Sequence, residues 1–173
     1  MLKNVFLLII ILPVLTFAQK SVLDKGFKNN TGSKEVAVVI VNTFTNEIFQ
    51  TLTQNISDIF RDDKGYNTNP SFFNTNFVMD GTFEKLFNTD EYKIRKLKLN
   101  NHLDFFCLGK YSILSINQNE YNMFTADIKL QINFINANSG ALIDSRSYTD
   151  RGIGITKQES VQNAIDKILK QLK

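Results

Sequence analysis

Phe124-Thr125-Ala126-Asp127-Ile128-Lys129-Leu130-Gln131-Ile132-Asn133-Phe134 is the stretch whose reading decides the fold. Its even-numbered residues are all apolar, and its odd-numbered residues are Thr, Asp, Lys, Gln and Asn. Successive side chains of a strand point to opposite faces, so this order predicts a half-buried β-strand. One of its faces must be covered by another element and the other meets water. The cover is found at 157–172, where Val161, Ala164, Ile165, Ile168 and Leu172 recur at helical spacing. Thr156, with Glu159 three residues on, reads as the capping box that opens this helix.

Working outward from that strand, Asn136-Ala137-Asn138-Ser139-Gly140 is suited to a hairpin return, followed by a strand over 141–150 and a glycine-bearing hinge over 151–155. On the other side, 103–108 is a largely apolar strand. Gly109 there allows a bulge or close packing, Tyr111, Ile113 and Leu114 continue the ladder, and 116–122 is a polar connection. Farther upstream, Val36–Val41 is a β-branched run that reads as a strand buried on both faces. Residues 46–60 change to helical period, with Asn46 or Thr45 as the cap and Lys64-Gly65 as the stop. Between 66 and 99 the pattern gives a loop, a short strand over 76–79, one or two helical turns around Phe83–Phe87, and a helix over 90–99. The fold class that follows is α/β (α+β): a single mixed sheet of about four to five strands covered by helices, in the order β-α-(β)-α-β-β-β-α.

With 173 residues, of which 43% are hydrophobic and 21% charged, the chain is long enough to bury a core without disulfide or metal staples. The first eighteen residues read as a secretory signal: Lys3 opens it, Val5–Leu15 is its apolar run, and Thr16-Phe17-Ala18 presents small residues at the peptidase positions. The run contains Pro13 and is about half the roughly 20 apolar residues needed to cross a bilayer. Cleavage is expected between Ala18 and Gln19, which makes the mature protein periplasmic or secreted. Residues 19–33 then form a flexible lead-in and 34–173 a single globular domain. No cysteine follows the cleavage site, so a soluble mature protein without a lipid anchor is expected. The net charge of +3 drops to +2 once Lys3 leaves, too little to mark nucleic acid as a partner. Cys107 is the lone cysteine and reads as a small buried hydrophobe in a strand.

No residue pattern demands a catalytic, metal or cofactor site. His102 is the one histidine and lacks the companion ligands a metal gathers, and no Gly-x-Ser-x-Gly elbow is present. Gly152-x-Gly154 lacks the third glycine of a dinucleotide fingerprint, so its glycines relieve crowding where the chain turns onto the sheet. Asp58, Asp62 and Asp63 lack calcium-loop spacing and read as solvated charge. Asn29-Asn30-Thr31 and Asn55-Ile56-Ser57 match the glycosylation pattern incidentally in a chain with a bacterial-looking leader. Phe72, Phe73, Phe77, Phe83 and Phe87 are more aromatics than a short irregular segment needs. They are the candidate protein-binding surface if they face outward, and a plug over the open side of the sheet if they face inward.

Leu103-Asp104-Phe105-Phe106-Cys107-Leu108-Gly109-Lys110 resembles a segment of the bacterial envelope domains typified by the TolB amino-terminal domain, the curli-secretion component CsgG and the penicillin-binding-protein activator LpoB. Asn138-Ser139-Gly140-Ala141-Leu142-Ile143-Asp144 resembles their hairpin, Gly152-Ile153-Gly154 their approach to the final helix, and Val36-Ala37-Val38-Val39-Ile40 their first strand. The resemblance implies an exported non-enzymatic interaction or assembly module of the envelope, of the curli-secretion or peptidoglycan-synthesis accessory kind. An envelope protein is then its partner, and a homo-oligomer is compatible with it. The alternative is an envelope hydrolase or glycan-processing accessory using carboxylates such as Asp104 and Asp144. That reading requires the two to flank one bond at under about 10 Å.

Overall fold

The computed structural model describes residues 35–173. The expected leader, its cleavage site and the lead-in over 19–33 lie outside the described residues. In chain order the elements are β1 (Glu35–Asn42), β2 (Glu47–Ile48), α1 (Gln50–Lys64), β3 (Thr68–Asn69), α2 (Thr75–Met79), α3 (Thr82–Phe87), α4 (Glu91–Leu97), a 3-10 turn (Leu99–Asn101), β4 (Leu103–Gln118), β5 (Phe124–Asn136), β6 (Leu142–Gly154) and α5 (Lys157–Leu172). The strands form one mixed sheet in the order β2-β1-β4-β5-β6, with β3 pairing parallel to β1 beside β2. β1 runs parallel to β4, and the β4–β5 and β5–β6 pairs are antiparallel hairpins.

The alternation in β5 does what its parity dictates. Ala126, Ile128, Leu130, Ile132 and Phe134 are all buried, on the face covered by α1 and α5. There they meet Val36, Val38 and Ile40 of β1, Leu52, Ile56 and Phe60 of α1, and Ala164, Ile165, Ile168 and Leu172 of α5. Thr156 Oγ1 accepts the Glu159 N–H at 3.1 Å, while the Glu159 carboxylate accepts the Ile155 N–H at 2.7 Å, so the capping box closes on the residue before the cap. α5 lies close on β6 because Gly152 has no side chain: a Cβ there would collide with the Ser160 carbonyl and the Ala164 nitrogen. Gly109 is likewise a close-packing residue, against the Ile40 side chain of the neighbouring strand. The bulge in β4 falls instead between Ile113 and Ser115.

The opposite face of the sheet is not simply solvated. Its proximal half carries a second core, in which Ala37, Val39, Val41, Phe106, Leu108 and Ile135 pack beneath Phe77, Val78, Phe83, Leu86, Phe87 and Ile94 of α2, α3 and α4. Asn133, on the polar parity of β5, is therefore buried. It donates from Nδ2 to the Phe87 carbonyl at 2.9 Å and accepts from Ser145 at 2.7 Å, which satisfies it.

Four local expectations are corrected. Residues 76–79 form a helix rather than a strand, because the Asn74 side chain accepts the Phe77 N–H and starts a turn that seats Phe77 and Val78 together in the second core. The helix expected from Asn46 begins at Gln50 with no side-chain cap, since Asn46 takes a left-handed backbone (φ 55°) and Glu47–Ile48 fold back as β2 onto β1. It stops as expected at Gly65, in the αL conformation (φ 72°). The polar connection over 116–122 is mostly strand, leaving a loop only at Asn119–Met123. The hinge over 151–155 is strand through Gly154, because β5 pairs with β6 all the way to Phe124↔Gly154.

Candidate docking surface

The structure brings the five phenylalanines together, but into the interior. Phe73 and Phe77 stack at 3.8 Å between centroids, Phe77 meets Phe83 edge-on at 6.1 Å, and Phe83 stacks on Phe87 at 5.7 Å. Phe77, Phe83 and Phe87 are buried, and Phe72 and Phe73 are half-buried at the margin of the second core. Lys110 lies 4.5 Å from the Phe87 centroid and pairs with Glu84 at 2.7 Å, pinning α3 to β4. Phe77, Phe83 and Phe87 are part of the cover of the sheet, with Phe72 and Phe73 at its margin.

The two carboxylates of the hydrolase alternative are held in separate settings. Asp104 sits where β4 slips against β1, its backbone carbonyl accepting the Ala137 N–H at 2.9 Å. Asp144 lies on β6 opposite Phe134, 2.8 Å from the Arg146 guanidinium. Neither lines the shallow groove of about 420 Å³ between α1 and α5, which is bounded by Asn55, Asp58, Ile59, Asp166, Leu169, Lys170 and Lys173. His102 is exposed at the start of β4, its carbonyl accepting the Glu35 N–H at 3.3 Å. Asp58 and Asp62 pair with Arg61 at 2.8 and 2.9 Å. Cys107 is fully buried, and burial pushes its thiol far above the ordinary range, so it is inert in the folded protein.

The surface feature that the sequence reading missed is at the far end of the sheet. β1 ends opposite Tyr111, so Ser112–Gln118 of β4 project beyond it, together with the start of β5 and the end of β6. On this three-stranded tongue and the turn at its base several large apolar side chains are exposed. Phe44 is 92% exposed, Tyr121 75% and Ile155 73%, with Leu114, Ile153 and Ile113 also open and Met123 partly so. Leu114 is the residue the bulge leaves without a partner on β5. The tongue is stiffened across its three strands. Arg151 of β6 donates to both carboxylate oxygens of Asp127 on β5, at 2.7 and 3.2 Å, and Ser115 of β4 donates to the same carboxylate at 2.8 Å. Arg151 first, and Ser115 next, hold the Asp127 carboxyl below its ordinary value. The exposed apolar residues sit among polar ones here, so a linear reading gave no signal. The signal lay in how far β4 outruns β1.

Among solved structures the chain is similar to lipoprotein GNA1162 from Neisseria meningitidis, at 13% identity over 82% of this chain and 98% of that one, with a TM-score of 0.46. It is also similar to a PelC dodecamer from Paraburkholderia phytofirmans, at 15% identity over 80% and 86%, with a TM-score of 0.48. A putative neuraminyllactose-binding hemagglutinin homolog from Helicobacter pylori is similar at 14% identity over 82% and 77%, with a TM-score of 0.33. No curated protein matches the chain. The family model that matches is that of the TP0693-like lipoprotein C-terminal domain, over residues 21–172. This match overturns the expected kinship with the TolB, CsgG and LpoB domains. The segments that carried that resemblance report a slipped strand, a hairpin and a glycine under a helix, local features that any helix-covered sheet of this kind requires. It also sets the expectation of a protein outside the lipoproteins against a family of them. The described residues contain no helix long and apolar enough to cross a membrane. By a match spanning most of its length, the chain belongs to the TP0693-like lipoprotein C-terminal domain family.

Proposed function

We propose that the chain is an exported, non-enzymatic interaction module of the cell envelope, and that the apolar end of the tongue is where it binds another envelope protein. The observation that carries this reading is that Leu114, Tyr121, Ile153 and Ile155, all more than half exposed, lie on one stiffened three-stranded projection. Contiguous exposed apolar side chains rimmed by polar ones mark interaction sites in soluble domains. Asn117, Gln118, Asn119, Glu120 and Asn122 supply that rim. The rim also favours a protein over the lipid interior as the occupant, since sinking the Glu120 carboxylate into hydrocarbon is costly. Membership of a lipoprotein family supports the envelope setting.

The test is site-specific photo-crosslinking in cells, with the probe at Tyr121 and, as control, at the exposed His102 at the opposite end of the sheet. The expected result is an adduct with an envelope protein from position 121 alone, lost in an Ile153→Ser, Ile155→Ser variant whose circular dichroism melt is unchanged. Equal adducts from both positions, or none from 121, would overturn the reading.

A further inference from the structure

β6 is the last strand of the sheet and its outer edge pairs with nothing among the described residues. An open edge of this kind is a template for another strand unless it is blunted. Part of it is blunted. Lys167 of α5 donates to the Arg151 carbonyl at 2.7 Å and Asn163 donates to the Ile153 carbonyl at 2.8 Å. Two carbonyls spaced by two residues face the same side of a strand, so these bonds also reveal the direction of the remaining odd-numbered groups. From Asp144 to Gly154 the register with β5 is unbroken, and Ser145, Ser147 and Thr149 therefore turn their N–H and C=O groups outward as well. No side chain of α5 reaches these three. Their own side chains are exposed, short and suited to a pleated surface. The open length is thus finite, bounded by the capped Arg151 on one side and the irregularity at Ile143 on the other.

We propose that this open segment pairs antiparallel with the same segment of a second copy, in the register that sets Tyr148 opposite the partner's Tyr148. Charge selects both the occupant and the register. On the α5 side of β6 the order is Asp144, Arg146, Tyr148, Asp150. With Tyr148 on the twofold, Arg146 of each copy faces Asp150 of the other, giving two cross-strand ion pairs. Sliding by one step sets Asp144 against Asp150 in one direction, where like charges are destabilising, and in the other sets Arg146 against Gly152, where both ion pairs are lost. In the favoured register Ser147 and Thr149 form the hydrogen-bonded pairs, each exchanging both backbone bonds. α5 side chains cap the edge at Arg151 and Ile153, opposite which residues 145 and 143 of the second copy fall, so the backbone bonds are confined to Ser147 and Thr149 and the Lys167 and Asn163 side chains must swing aside at the two ends of the contact. The two helices then lie on opposite sides of the twofold. Such a contact is isologous and closes at two copies.

The test uses the full chain in sedimentation velocity at low and at 0.15 M salt over a wide range of protein concentration. A reversible monomer–dimer equilibrium, weakened by salt, is expected. Ser147→Pro removes an outward N–H without touching the β5 ladder, so it should give a monomer with an unchanged melt. Arg146→Asp and Asp150→Arg should each weaken the dimer at least tenfold, and the double exchange should restore it. A monomer at every concentration, a dimer indifferent to Ser147→Pro, or a double exchange no better than the singles would overturn the proposal. None of these outcomes depends on the tongue, so the two readings fail separately.

Discussion

At the residue scale the Tyr111 hydroxyl, like that of Ser57, is a buried polar group with no hydrogen-bond partner among the described residues. It lies in the first core, over a small void lined by Leu52, Ile128, Leu130, Ile165 and Ile168. A buried donor left unmade costs about 1–3 kcal/mol. The ring itself is well placed, edge-on to Phe49 at 5.1 Å. Tyr111→Phe keeps the ring and removes the orphan, and it should raise stability by about 1 kcal/mol, read as a higher urea midpoint at unchanged slope. Burial also raises the phenol to about 12 from an ordinary 10.0. A raised folded value means that the native protein loses stability as pH climbs from 10 towards 12, because the unfolded chain ionises first. The Phe variant should lack that alkaline limb. None of this was legible from sequence, where Tyr111 was one more residue in a ladder. The five phenylalanines were legible as a group, but whether they turned inward depended on helices whose positions no local pattern sets.

At the element scale, β5 and the last helix were read nearly to the residue because each carries a strict period. β5 and α5 match their expected bounds within two residues. The short elements failed where a side chain or a neighbour outweighed the pattern. At α2 an Asn cap turned a presumed strand into a helix, and at β2 two residues left the expected helix to close the edge of β1. The glycines of β6 show the same dependence on a neighbour. They were read as relief of crowding near a hinge, and they do relieve crowding, against α5, but from within a paired strand. Gly152→Ala places a methyl group into the backbone of α5, which must lift away. A loss of about 1–3 kcal/mol is expected, measured by thermal melting, with the β-sheet signal retained in the folded state.

At the scale of the whole molecule one sheet separates two apolar cores, the first under α1 and α5 and the second under α2, α3 and α4. Strands β1 and β4 contribute to both, so neither core exists without the other. Phe83→Leu in the second core and Ile165→Val in the first share no partner. Each should cost about 1 kcal/mol, the double variant should lose their sum within about 0.5 kcal/mol, and all three should unfold in one transition. A biphasic melt in either single variant would show that the sheet does not couple the cores. The sequence by itself determined the mixed sheet, its half-buried central strand and the helix laid on it, because hydrophobic periodicity is local and each period admits one geometry. Only the tertiary structure decided that the polar parity of β5 is half covered, that β4 outruns β1 to leave an apolar tongue, and that the middle of the β6 edge is open. Those are differences in length and placement between elements far apart in the chain, and no stretch of sequence read alone contains them.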